Sequence, residues 1–221
     1  MLGDDLFPRD FIYTLRAPSN YFGPAKVFPE QGEPAPFLRK IDDAEDAIPS
    51  AHRAGAVVTG LPKSLLQALD VFMVSNAVRD VRGEGKTHRS MLVNVSQFTA
   101  VQDQVEGLLA AEVDEIQTAV RNFAALAPEE ALKSTHIARL HRAWEAEYKA
   151  SGPAWVDIQG ALIEAVLPTK TIAVNQRTGP KALDYRAHAE TGLRVVAIGG
   201  NSLSRGLTLE GLVVSYFRRR T

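Results

Sequence analysis

The sequence predicts an α/β fold, a parallel sheet flanked by helices. Three observations predict it. Short β-branched apolar runs at 91–95, 171–174, 195–198 and 212–217 alternate with long stretches of helical period. The last two runs are apolar at nearly every position, as suits neighbouring strands of one parallel layer covered on both faces. Small polar or glycine residues follow the runs, and in open parallel sheets ligands bind beyond the carboxyl ends of the strands.

Residues 1–60 form an extended, proline-rich arm, with residues 61–221 as the domain proper. Pro8, Pro18, Pro24, Pro29, Pro34, Pro36 and Pro49 interrupt any helix there. Phe7, Phe11, Ile12, Tyr13, Tyr21 and Phe22 are too apolar for a free linker and predict packing on the domain or on a partner. The acidic stretch Asp42-Asp43-Ala44-Glu45-Asp46 reads as a solvated turn or a helix start.

From Pro62 the apolar residues Leu65, Leu66, Leu69, Phe72, Met73 and Ala77 recur at helical spacing, and Arg82-Gly83 ends the helix. Gly83-Glu84-Gly85-Lys86-Thr87 has part of a phosphate-loop pattern. That loop needs an earlier glycine, a preceding strand and a following helix. Position 80 is Asp80, a helix precedes and a strand follows, so the stretch reads as a helix-to-strand connection.

The strand at 91–95 leads to Ser96 and Gln97. Thr99 and Gln102 then make a capping box for a helix with apolar face Val101, Val105, Leu108, Leu109, Val113, Ile116, Val120 and Phe123. About 128–167 reads as a helical insertion, opened by Pro128 and broken at Gly152-Pro153. His136 and His141 are five apart and share no helical face, so they predict no zinc site, and no metal site is expected elsewhere. Glu147-Tyr148-Lys149 matches the Glu-x-Lys fragment of a nuclease motif, but it stands in a helical pattern rather than on a strand.

After the strand at 171–174 come Asn175, Gln176, Arg177 and Thr178, side chains suited to sugar and phosphate. A short helix is expected from Pro180 to His188. The final stretch is an apolar run, Gly199-Gly200, the polar loop Asn201-Ser202-Leu203-Ser204-Arg205-Gly206, then Leu207-Thr208-Leu209-Glu210-Gly211 and a last strand. The loop is expected as a ligand-facing edge.

The 221 residues suffice for one large α/β domain with an arm. Hydrophobic residues make up 45% and charged residues 23%, as in ordinary soluble proteins. No apolar stretch is long enough to span a membrane. The absence of cysteine excludes disulfides and thiolate metal sites and suits the cytoplasm. The net charge of -1 hides an asymmetry. Residues 170–221 carry nine basic side chains against three acidic, whereas 1–60 carries nine acids against six bases. A basic quarter of this kind suits a surface that faces phosphates, or a solvated face and tail.

The stretch 194–219 resembles motif V in the second RecA-like domain of superfamily 2 helicases, with Ser204-Arg205-Gly206-Leu207-Thr208 at its serine–arginine–glycine–apolar–acid step. More narrowly, GGNSLSRGLTLEGLVVSYF resembles the signature of the Z-one domain family, whose members are described as endonucleases. The segments 6–24 and 90–105 resemble the same family. The resemblance implies a RecA-like helicase C-terminal lobe. Arg205, Gly206, Thr208 and Glu210 would then lie on the nucleotide side, with Thr208 replacing the usual acid and Glu210 as its substitute. Ser96, Gln97, Asn175, Gln176, Arg177, Gly200, Asn201 and Ser202 would lie on the nucleic-acid side.

The resemblance further implies DNA or RNA as partner, and ATP with Mg²⁺ as cofactors of a full-length protein. The ATPase lobe would lie upstream. The arginine-bearing helix of motif VI does not follow within this sequence, so the chain is expected to be part of a longer protein and inactive alone. Two other readings stay open: a metal-dependent endonuclease in its own right, and a non-catalytic scaffold for a protein partner.

Overall fold

The computed structural model describes residues 23–29, 35–49, 51–175, 178, 183–200, 203 and 208–218. The chain divides into two compact units, Met1–Lys40 and Ile41–Thr221. The first contributes one short helix, α1 (Pro24–Val27), and a turn in which Leu38 N–H donates to the Ala35 carbonyl at 2.9 Å. The aromatic residues expected to anchor the arm, at positions 7 to 22, lie outside the described residues.

The second unit is a four-stranded, all-parallel sheet in the order β2-β3-β1-β4. Its strands are β1 (Arg89–Asn94), β2 (Lys170–Val174), β3 (Arg194–Gly199) and β4 (Leu212–Phe217). Its longer helices are α2 (Lys63–Val81), α3 (Thr99–Phe123), α5 (Thr135–Glu147) and α6 (Trp155–Val166), with the single turn α4 (Pro128–Ala131) ahead of α5. The predicted α/β class with a helix-flanked parallel sheet is therefore the observed one.

The four longer helices share one core with one face of the sheet. Val196 and Ile198 of β3, Met91 and Val93 of β1 and the apolar sides of α2, α3, α5 and α6 bury together. α2 buries residues all around its circumference, among them Leu65, Leu69, Phe72, Met73 and Val74, because strands lie beneath it and α5 and α6 pack on it. The segment read as an insertion is part of this core: Ile137, Leu140, Ile158 and Leu162 have no exposed surface. Residues 41–49 join it as well, through Ile48.

The opposite face holds a smaller cluster of Val174, Leu183, Tyr185, Leu193, Val195, Ala197 and Leu203. It is covered by connections and a 3₁₀ turn at Arg186–His188, where a short helix was expected from Pro180.

Two expectations for the last strands are corrected. β3 and β4 lie in one parallel layer but are not neighbours, because β1 inserts between them and pairs with both. β4 is an edge strand, not one buried on both faces: Leu212, Val213 and Phe217 are 48%, 38% and 49% exposed, and only Tyr216 is buried. Its apolar run reflects β-propensity and one buried face, which a run of this length cannot separate from full burial.

Candidate nucleic-acid interface

All four strands run the same way, so residues that follow β1, β2 and β3 gather at one edge. Ser96 and Gln97 follow β1, Asn175 follows β2 and Gly200 follows β3. β1 and β3 are neighbours whose onward connections leave to opposite faces. α3 packs on the helical face, while Leu203, beyond β3, packs on the other. That divergence defines the switch point at which open α/β sheets hold ligands.

Backbones approach closely at this point. A Cβ on Gly200 would lie 2.7 Å from the Ser96 carbonyl oxygen, 2.8 Å from Gln102 Nε2 and 3.1 Å from Gln97 Cα. Only glycine lets the two loops meet in this way. Gln102 donates from Nε2 to the Ser96 carbonyl at 2.9 Å, and its buried Oε1 has no hydrogen-bond partner among the described residues.

The predicted capping box does not form. Thr99 is the first residue of α3, Phe98 is its N-cap, and no side chain caps the helix. Gln102 is used by the strand-end loop instead, and Ser96 Oγ accepts from Phe98 N–H at 3.0 Å.

Ser96 is further engaged by His52, whose Nε2 lies 2.7 Å from its Oγ. His52 Nδ1 lies 2.5 Å from the Pro49 carbonyl oxygen, which can only accept, so Nδ1 carries the proton and Nε2 accepts the Ser96 hydroxyl. The same strap is held by Gln104, which accepts from Val58 N–H and donates to the Ala56 carbonyl, both at 3.0 Å. A serine at a strand end is visible in sequence. A histidine 44 residues upstream carries no signal that pairs it with that serine.

Asn175 is 4% exposed and donates to Asp103 Oδ1 at 3.2 Å. Its backbone N–H donates to Thr178 Oγ1 at 3.0 Å, and Thr178 Oγ1 donates to the Ala173 carbonyl at 2.7 Å. The loop is thus closed by turn chemistry. Gln97 is exposed. Gln176, Arg177, Asn201, Ser202, Arg205 and Gly206 lie outside the described residues.

Thr208 and Glu210 stand elsewhere. β3 ends at the carboxyl edge and the parallel β4 begins at the amino edge, where Glu210 and Gly211 lie. There Ser90 Oγ donates to the Glu210 carbonyl at 2.8 Å and Ser90 N–H donates to the Gly211 carbonyl at 3.0 Å. Gly211, at φ +64°, sits so tightly on the start of β1 that a Cβ would fall 1.9 Å from the His88 carbonyl oxygen. Thr208 is exposed just before this anchor. A strand length of roughly 15 Å separates the amino edge from Ser96 and Gly200, so the structure does not bring Thr208 or Glu210 to the switch point.

The amino edge also holds the Gly83–Thr87 connection. Arg89 is fully buried and donates to the Asn76 carbonyl at 2.7 Å, to Asp80 Oδ1 at 2.6 Å and to the Glu84 carbonyl at 2.7 Å. Its cross-strand partner Arg194 reaches Asp80 Oδ1 at 3.1 Å, the Gly85 carbonyl at 3.3 Å and the Glu164 carbonyl. Burial holds the Arg194 guanidinium below its ordinary value, Asp80 opposes this and the adjacent Arg89 adds to it. The connection thus presents carbonyl oxygens to cations, the reverse of a phosphate cradle, which presents N–H groups. Arg194 belongs to this structural cluster, and Arg218 pairs with Glu45, so two residues of the basic quarter are spent within the fold.

Other readings resolve locally. His141 packs on Trp144 and Trp155, away from His136. Lys149 pairs with Glu145 at 2.9 Å, one helical turn back, so the Glu-x-Lys fragment is a solvated helix end. His136 instead faces Glu112 and Glu115, and one ligand atom from each of the three lies within 4.8 Å of the others.

The fold defines an α/β domain of the open parallel-sheet class, with the loops after β1 and β3 in contact at its carboxyl edge. The Z1 domain family matches residues 64–221, which is most of the chain, and the protein belongs to that family. No curated protein and no solved structure matches the chain. No helix among the described residues is long and apolar enough to cross a membrane.

Proposed function

We propose that this domain is the second RecA-like lobe of an ATP-dependent enzyme acting on DNA or RNA, and that its carboxyl edge carries the nucleic acid. The observation that carries the reading is the meeting of Ser96, Gln97 and Gly200 at the switch point of a parallel sheet, with Asn175 at the end of β2 on the same edge. Hydroxyl, amide and backbone N–H groups at such an edge suit sugar and phosphate contacts, which position a strand without reading its sequence. Basic residues of the C-terminal quarter would supply the long-range attraction.

ATP and Mg²⁺ would be bound chiefly by an upstream lobe of the full-length protein. The residues of the Gly83–Thr87 connection do not fit a phosphate cradle, and Thr208 and Glu210 are remote from the switch point. The nucleotide side of the reading therefore rests on Arg205 and Gly206. The proposal concerns binding by this lobe, whether the whole enzyme unwinds or cuts.

Fluorescence titration with single- and double-stranded oligonucleotides tests it. The expected result is binding at low salt that weakens steeply as salt is raised. No binding at low salt to either substrate overturns it.

A further inference from the structure

We propose that Glu112, Glu115 and His136 form a binding site for a divalent transition-metal ion, with Zn²⁺ the best match. The site is independent of the nucleic-acid reading. Glu112 and Glu115 stand one turn apart on α3 and so project on one side. His136, near the start of α5, points its Nε2 at both carboxylates, 3.4 Å from Glu115 Oε2 and 3.8 Å from Glu112 Oε1. All three ligand atoms lie within 4.8 Å of one another. Bonds of about 2.1 Å in tetrahedral geometry place ligand atoms about 3.4 Å apart. The protein atoms therefore need to move little to close on an ion.

Two neighbouring carboxylates share one guanidinium. Arg139 donates to Asp70 at 3.0 and 2.8 Å and to Glu112 Oε1 at 2.6 Å. Burial raises the Asp70 carboxyl above its ordinary range against the pull of Arg139. The two-pronged geometry favours the ionised pair. Arg139 thus serves Asp70 and Glu112, while Glu115 has His136 Nε2 beside it at 3.4 Å.

A groove of about 420 Å³ opens next to the cluster, lined in part by Thr118, Asn122 and Ser134. It gives the ion's fourth position access to water. One nitrogen and two carboxylate oxygens suit Zn²⁺ and its analogue Co²⁺, whereas Mg²⁺ favours oxygen ligands and retains its own water. A bound ion would tie α5 to α3.

The test uses the chelator-treated full chain, titrated with Zn²⁺ by calorimetry and with Co²⁺ by visible absorption. Glu115→Gln and His136→Gln are made in parallel. Glu115 is 65% exposed, so its variant retains the fold, which circular dichroism checks. The expected result is one Zn²⁺ per chain, tetrahedral Co²⁺ bands, a rise in Tm with Zn²⁺, and affinity at least about tenfold weaker in each variant. Absence of binding, or binding equal in the variants, overturns the site.

Discussion

Ser96 and Gly200 touch across the carboxyl edge of the sheet, with the carbonyl oxygen of one 2.7 Å from where a side chain on the other would begin. This contact joins the loop after β1 to the loop after β3 and fixes the floor of the proposed interface. Gly200→Ala must push the Ser96 loop or Gln102 aside. The expected cost is about 1–3 kcal/mol, with weakened oligonucleotide binding. Gly55→Ala, where the added methyl meets no atom within 4 Å, is the control, and urea denaturation compares the two.

His52 holds the Ser96 hydroxyl proton, so Ser96 cannot donate to a phosphate until His52 lets go. His52→Ala is expected to strengthen oligonucleotide binding a few-fold while loosening residues 49–58 to proteolysis. Unchanged affinity with a loosened strap would show that Ser96 makes no such contact.

Asp80 is the only carboxylate among the described residues that pairs with the buried guanidinium of Arg89, and it also serves Arg194. Asp80→Asn leaves both cations without their counter-charge. The expected loss is about 3–5 kcal/mol in chemical denaturation. Arg194→Met should cost less, because it removes a charge rather than stranding one.

Asp43 caps α2 from outside the helix. Its Oδ2 accepts from Ser64 N–H at 2.8 Å, its Oδ1 accepts from Ser64 Oγ at 2.5 Å, and Ser64 Oγ lies 2.8 Å from Tyr216 Oη. Slight burial raises the Asp43 carboxyl, but the Ser64 bonds outweigh it and the net shift is downward. A carboxyl lowered in the fold stabilises above its unfolded value and loses that contribution as pH falls through its folded value. Asp43→Ala should therefore cost about 1 kcal/mol at neutral pH. The gap from the parent should narrow as pH falls below the ordinary aspartate range, as read from urea midpoints across pH.

The strands and helices were legible because period and punctuation mark them. α6 runs from Trp155 to Val166, directly after the break read at Gly152-Pro153. Strand order was not legible: nothing local in 212–217 shows that β1 stands between it and β3. Nor does anything along 199–211 show that the stretch starts at the carboxyl edge of the sheet and ends at its amino edge. Gln102 was misread because a Thr-x-x-Gln pattern cannot show that the glutamine turns to the Ser96 carbonyl. The His52–Ser96 and Glu112–Glu115–His136 contacts join elements far apart in sequence, and no spacing rule reaches them.

Hydrogen exchange with a bound oligonucleotide tests the central claim most directly. The account predicts slowed exchange in the loops after β1, β2 and β3, around Ser96, Asn175 and Gly200. Protection confined to the amino edge, around Gly85 and Glu210, with those three loops unchanged, would contradict it.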